Sequence, residues 1–265
     1  MDLLKTFYKY RKWDDKYHKR ALTNDVIFFS SARRFNDPFD CTIPVRYDLL
    51  TGSQIHGIYA YHIIRMNPGI SEDEVRRQAR EWTDKNLLRD PEFIKDYLSE
   101  SKYNEFGIFT LTPHKDNLLM WSHYSDSHNG FCIGYDTSRL DGFLKGLSES
   151  DNLVIPGYEV DYCSEYPKLL PGELSDEDWV IKQLTTKSNA WAYEEEYRFI
   201  IFNKTDFQLS LPSGTISEVI LGCKMSDDYK AEIIEVLGEK SYKIDLYQTK
   251  MSMHSFSLDI EKIEY

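Results

Sequence analysis

Apolar and polar positions along this chain switch repeatedly between a period of two and a period of three to four, the marks of strands and helices respectively. The pattern predicts a short strand over residues 3–10, a helix over 14–22 and a compact buried strand over 26–30. Residues 32–40 are turn-rich, with Asn36-Asp37-Pro38 as punctuation, because Asn and Asp side chains bond nearby backbone and Pro fixes φ. Residues from about 53 to 106 are predominantly helical, with a capping-box-like start at Ser71 to Glu74 and a second start at Arg89-Asp90-Pro91.

Strand character returns at 107–112, followed by a short helix at 117–124 and strands at 130–135 and 153–162. A helix at 176–186 precedes a strand at 193–202; a further strand at 216–222 leads into a helix at 226–237. Two last strands fill 242–263, with a turn near Lys250. This order lacks regular βαβ alternation. It predicts an α+β fold with a mixed or antiparallel sheet core, in a single domain of residues 1–265 with a helical insertion at about 53–106.

The segment from Trp191 to Phe202 carries the most chemistry, since an acidic cluster runs directly into an apolar β-branched and aromatic stretch. On a strand, Glu194, Glu196 and Arg198 would share one face and Tyr193, Glu195, Tyr197 and Phe199 the other. Two carboxylates and a guanidinium are costly to bury, so this face is expected to line a cleft. A structural ion-pair network is the competing reading. Met120 to Phe131 gathers two histidines, several serines, a Tyr and a Trp. His123 and His128 are five apart, awkward for two metal ligands on one helical face, and no metal is assigned; Trp121 and Tyr124 are expected instead to stack on a planar ligand.

Charge refines this picture. The formal net charge of -12 argues against a broad nucleic-acid groove, yet Lys9, Arg11, Lys12, Lys16, Lys19 and Arg20 make the N-terminal block basic. That block suits an anionic ligand such as a dinucleotide. In Tyr8-Lys-Tyr-Arg11, Tyr8 and Tyr10 share one strand face and Lys9 and Arg11 the other, so Arg11 is a candidate phosphate grip. The four cysteines are widely spaced, without a zinc signature, as in a reduced cytoplasmic protein. The first residues are too polar for a signal peptide, and no apolar run approaches the ~18 residues of a membrane span.

Several motifs in order resemble a bacterial family catalogued as a domain of unknown function (number 2971). They are Tyr8-Lys-Tyr-Arg11, the loop from Phe29 to Asp40 with its Phe-Asn-Asp-Pro-Phe core, Leu119-Met-Trp-Ser-His-Tyr124, and the run from Lys187 through Trp191 to Arg198. The Val219 to Gly222 strand fits as well. The order of elements is also similar to ADP-ribosyltransferase folds. That resemblance implies an enzyme that cleaves NAD to modify a macromolecule or hydrolyse the dinucleotide, in the manner of a toxin or phage-defence effector, with an antitoxin or regulatory partner. It implies Glu196 or Glu194 as catalytic carboxylate, Arg11 on the pyrophosphate, Thr110 or Thr112 on the next strand, and Tyr124 or Trp121 stacked on nicotinamide. Read from the residues themselves, Arg198 beside the glutamates, Tyr10 beside Arg11, His123 on the short helix, and Ser30, Asn36 and Asp37 of a loop that also reads as a rigid structural turn complete the candidate site. Thr110-Leu-Thr112 stands where such enzymes often show Ser-Thr-Ser. Two other readings remain open: a nucleotide or nucleic-acid sensor without chemistry, and a metal-dependent hydrolase built from Asp37, Asp40, His123 and Glu196.

Overall fold

The computed structural model describes residues 5–44, 46–85, 88, 106–150, 153–170 and 175–265. Its largest sheet has five strands. Strand β1 (Thr6–Arg11) runs antiparallel to β4 (Phe131–Asp136), and β4 antiparallel to β10 (Ile216–Leu221). Beyond them lie β11 (Asp245–Met251), parallel to β10, and β12 (Leu258–Ile263) at the edge. Strands β4 and β10 are central and apolar on both faces because both faces are covered. Ile133, Tyr135, Val219 and Leu221 join the main core. Cys132 and Ile220 point the other way, onto Tyr8, Tyr10, Met120 and Trp121.

A second sheet holds β3 (Phe106–Leu111) and β5 (Gly157–Glu159) on either side of β8 (Tyr197–Phe202), all antiparallel. Two single bridges tie the β-structure together. Tyr8 pairs with Thr112, which joins β1 to the end of β3, and Ser30 pairs with Ile108. Ser30 follows β2 (Val26–Phe29), itself antiparallel to β9 (Phe207–Ser210). A parallel pair, β6 (Asp161–Cys163) and β7 (Thr186–Ser188), completes the β-structure among the described residues.

The helices begin where capping residues allow. Asp15 caps α1 (Lys16–Thr23) by accepting from the Tyr17 and His18 amides. Thr51 and Gln54 form a full capping box at α2 (Gly52–Met66), which packs on α3 (Glu72–Lys85). Ile55, Tyr59 and Ile63 meet Val75 and Ala79 in a satellite core, so the first part of the segment expected to be helical is two packed helices; the rest of it up to residue 105, with the helix start at residue 89, lies outside the described residues apart from Leu88. Asn117 caps α4 (Leu118–Tyr124), Ser175 caps α6 (Asp176–Leu184) and Ser226 caps α7 (Asp227–Gly238). Helix α5 (Thr137–Ser150) and strand β9 have no counterpart in the sequence expectations, and the strand expected over 153–162 is two three-residue strands. The larger correction concerns residues 193–202. Asn189–Glu194 forms a 3-10 turn and Glu195 is left-handed at φ 41°, so the strand begins only at Tyr197. The 3-10 turn is capped by Ser188, which starts it before strand alternation can set in.

After α4 the chain makes a left-handed turn, with Asp126, Ser127 and His128 at φ 49°, 53° and 73°. Its fit against the sheet leaves no room for a side chain at Gly130, where a Cβ would lie 2.2 Å from the Arg11 carbonyl oxygen, or at Gly222. A Cβ on Gly222 would lie 2.1 Å from the His128 carbonyl oxygen and 2.9 Å from that of Gly130. Because these are backbone atoms, Gly222→Ala is expected to lower unfolding free energy by about 1–3 kcal/mol, read by urea denaturation. An unchanged midpoint would show that this junction yields freely.

Candidate functional site

A cleft of about 880 Å³ opens where β1, β2 and β3 meet α1 and α4. Strand β1 supplies one wall. Alternation sends Tyr8 and Tyr10 into the α4 layer and leaves Lys9 and Arg11, both half-buried, on the cleft side. Lys9 Nζ donates to Thr110 Oγ1. Burial, with the Arg11 charge nearby, pushes the Lys9 ammonium down to about 7. Neither Lys9 nor Arg11 has an ion pair among the described residues, and burial lowers the Arg11 guanidinium too. Asn36 Nδ2 donates to the Tyr124 hydroxyl at 3.5 Å across the cleft.

The floor is acidic and tightly paired. Tyr124 donates its hydroxyl to Glu194 Oε1 at 2.6 Å, while Glu194 Oε2 accepts from Lys187 Nζ at 2.5 Å. Lys187 also meets Glu196 at 3.2 Å and Asp40 at 3.5 Å. Arg198, fully buried, donates from Nη2 to Asp40 Oδ2 and Glu196 Oε2, both at 2.8 Å, and from Nη1 to Asp40 Oδ1 at 3.0 Å and the Leu184 carbonyl at 2.6 Å. The two glutamates therefore titrate apart. Burial pushes Glu194 up; Lys187 opposes this without cancelling it, and the neighbouring Glu196 charge adds to it. Burial also acts to raise Glu196, but Arg198 and Lys187 more than offset it and hold that carboxyl at about 2.

Some expected site residues are brought together and others are not. Arg11, Ser30, Asn36, Thr110, Thr112, His123, Tyr124, Glu194 and Glu196 all line the cleft, although they come from separate elements. Tyr10 borders it, but its ring meets Trp121 edge-on at 5.1 Å and its hydroxyl donates to the His114 carbonyl. Trp121 does not reach the cleft. It is fully buried, stacks on His128 at 6.3 Å and donates Nε1–H to the Lys115 carbonyl, so it is a core residue rather than a ligand platform. Asp37 is likewise structural: its Oδ1 accepts from the Phe39 amide at 2.9 Å and shapes the loop. Arg198 lies beneath the floor instead of lining it.

The face shared by Glu194 and Glu196 does not arise from strand alternation. The left-handed Glu195 turns the chain between them, exposing its own side chain and leaving both neighbours on Lys187. Asp37, Asp40, His123 and Glu196 do not form a metal-ligand set; Asp40 and Glu196 are neutralised by Arg198 and Lys187, and no cluster of three or more ligating side chains occurs among the described residues. Lys9 and Lys187 were missed as site residues. Lys9 had a signal in its alternation with Tyr8 and Tyr10, whereas Lys187, on a three-residue strand, had none.

Residues 120–199 match a family model, that of the protein of unknown function DUF2971. No curated protein and no solved structure matches the chain. The DUF2971 match takes in α4 from Met120 onward, with Tyr124, and Lys187 and both floor glutamates, whereas Lys9, Arg11 and Asp40 precede it. Among the described residues no helix is long and apolar enough to cross a membrane.

Removing Arg198 would leave Asp40 buried with little compensation and Glu196 with Lys187 alone. Arg198→Met is expected to cost about 3–5 kcal/mol in urea unfolding, far beyond the loss of packing. A loss under ~1 kcal/mol would mean that the carboxylates protonate cheaply and that the pair adds little.

Proposed function

We propose that the cleft binds NAD and cleaves its nicotinamide–ribose bond, transferring ADP-ribose to a macromolecule or to water. The observation that carries this reading is that unpaired Lys9 and Arg11 share one cleft with the hydrogen-bonded Tyr124–Glu194 pair, in a chain of net charge -12. Two cations without counter-ions fit a pyrophosphate, for which the guanidinium offers two parallel donors. Tyr124 and His123 supply rings for the nicotinamide, with Thr110, Thr112 and Asn36 as polar partners along the wall.

In the reaction, the bond from the nicotinamide nitrogen to ribose C1′ breaks and its electron pair leaves with nicotinamide, which departs neutral. The acceptor oxygen or nitrogen bonds to C1′ and gives up a proton. Positive charge develops on the ribose as the bond lengthens, and a carboxylate beside it stabilises that charge. Glu194 suits this role better than Glu196. Its Oε1 is held by a neutral tyrosine hydroxyl at the cleft surface, whereas Glu196 is committed to Arg198 and Lys187. Its raised pKa also lets it exchange a proton with the acceptor.

A second reading, a nucleotide sensor without chemistry, draws support from the 2.5 Å contact of Glu194 with Lys187, which partly neutralises the proposed catalytic group. Free nicotinamide, measured by mass spectrometry after incubation of the protein with NAD and a cell lysate, separates the two. Wild type is expected to release it, and Glu194→Gln to slow release on the order of 10²-fold or more while still binding NAD. NAD binding without any release would favour the sensor; neither binding nor release would remove both.

Lys9 adds a pH dependence whose sign is fixed by its charge. Below about 7 it is an ammonium that attracts phosphate, and above that it is neutral. Calorimetric affinity for ADP-ribose, whose pyrophosphate does not titrate in this range, is expected to fall roughly tenfold between pH 6 and pH 9, and the fall should vanish in Lys9→Met. A pH-independent wild type would take Lys9 out of phosphate binding.

A further inference from the structure

The outer part of the same cleft has a different character from its floor. Helix α1 presents Tyr17 and Arg20, three apart and hence on one helical face, and the loop before it presents Lys12. Beside them, β2, which packs on α1, alternates so that Val26, Phe28 and Ser30 face the cleft while Ile27 and Phe29 enter the core. Tyr17 is 68% exposed and Phe28 38% exposed. Single exposed aromatics are ordinary on a protein surface, and so are single cations. Here two of each line the same cleft, where Asp206 is taken up by Arg34 and Asp15 by the start of α1. Lys16 Nζ lies 5.0 Å from the centre of the Tyr17 ring, and neither Lys12 nor Arg20 has an ion pair among the described residues.

We propose that this outer wall binds a single-stranded nucleic acid, with Tyr17 and Phe28 stacking on bases and Lys12 and Arg20 holding the phosphates. Ring faces serve any base, and point cations follow any backbone, so the wall fits an unpaired strand of either sugar and carries no sequence code. A duplex fits poorly, because its base faces are already stacked on one another. An acidic peptide would satisfy Lys12 and Arg20 but leaves both aromatic faces without planar partners. As the acceptor of ADP-ribose, such a strand rests on the NAD reading above; as a bound partner it does not.

The test is fluorescence anisotropy with the full chain and labelled twelve-nucleotide single strands of DNA and of RNA, without NAD. An inactive floor therefore leaves the assay readable. Binding of either strand is expected, weakened roughly fivefold to a hundredfold by Tyr17→Ala or Phe28→Ala. Arg20→Ala should lower the slope of log affinity against log salt by about 0.7. All three changes are at surface positions, and matching melting curves would show that each variant folds. Four results overturn the proposal: no binding of either strand, equal binding of a duplex, full displacement by a twelve-residue poly-glutamate, or binding that survives both aromatic changes.

Discussion

The buried Arg198 guanidinium fixes the relation between the two halves of the site. It sits on β8 under the cleft floor and binds Asp40 through two parallel hydrogen bonds, which anchors the end of the 32–40 loop to the second sheet. Phe35, in that loop, lies against the guanidinium with its ring centre 5.5 Å away. Without a charge to receive it, Asp40 would not remain buried, and the loop that carries Asn36 to the cleft would lose its tether. A buried ion pair need not raise net stability over an apolar substitute. What it does supply here is position, since a planar fork of donors meets a carboxylate in very few orientations.

The floor carries three carboxylates, Asp40, Glu194 and Glu196, against two cations, Lys187 and Arg198. One negative charge is left over, and the nearest uncommitted positive charge is Lys9, which feels both glutamates. The burden of this imbalance falls unevenly. Glu196 touches both cations and stays ionised, whereas Glu194 touches only Lys187 and is pushed toward its protonated form. Two chemically identical side chains two residues apart thus acquire different proton affinities from their neighbours alone.

Much of this arrangement was legible in the sequence, though not always for the right reason. The α+β class, the helical segment and the separation of Lys9 and Arg11 from Tyr8 and Tyr10 followed from periodicity, which reports burial directly. The convergence of Glu194 and Glu196 was expected from a strand that does not extend that far. A capped 3-10 turn and one left-handed residue produce the same co-facing pair, and neither leaves a period-two trace. Trp121 misled because a tryptophan beside histidines suits a ligand platform as well as a core. Only the packing of Tyr10 and His128 on its two sides decides between them. Lys187 was illegible as a floor residue, since a lysine on a three-residue strand announces nothing until three carboxylates from other segments close around it.

The cleft therefore presents two kinds of positive charge that play opposite parts. Lys187 and Arg198 are saturated by carboxylates, so they organise the floor and have little attraction left for a ligand. Lys9, Arg11, Lys12 and Arg20 have no such partners among the described residues, and the chain as a whole repels anions. A long-range field of net charge -12 is screened over about 8–10 Å at physiological salt, a distance comparable to the size of the cleft itself. Inside that distance the local cations dominate. An anion at the mouth meets those cations first, with the surplus negative charge of the floor opposing its approach to Glu194, and one elsewhere meets only the acidic surface. Discrimination between those fates depends on where the unpaired cations stand, and the acidic composition sharpens it.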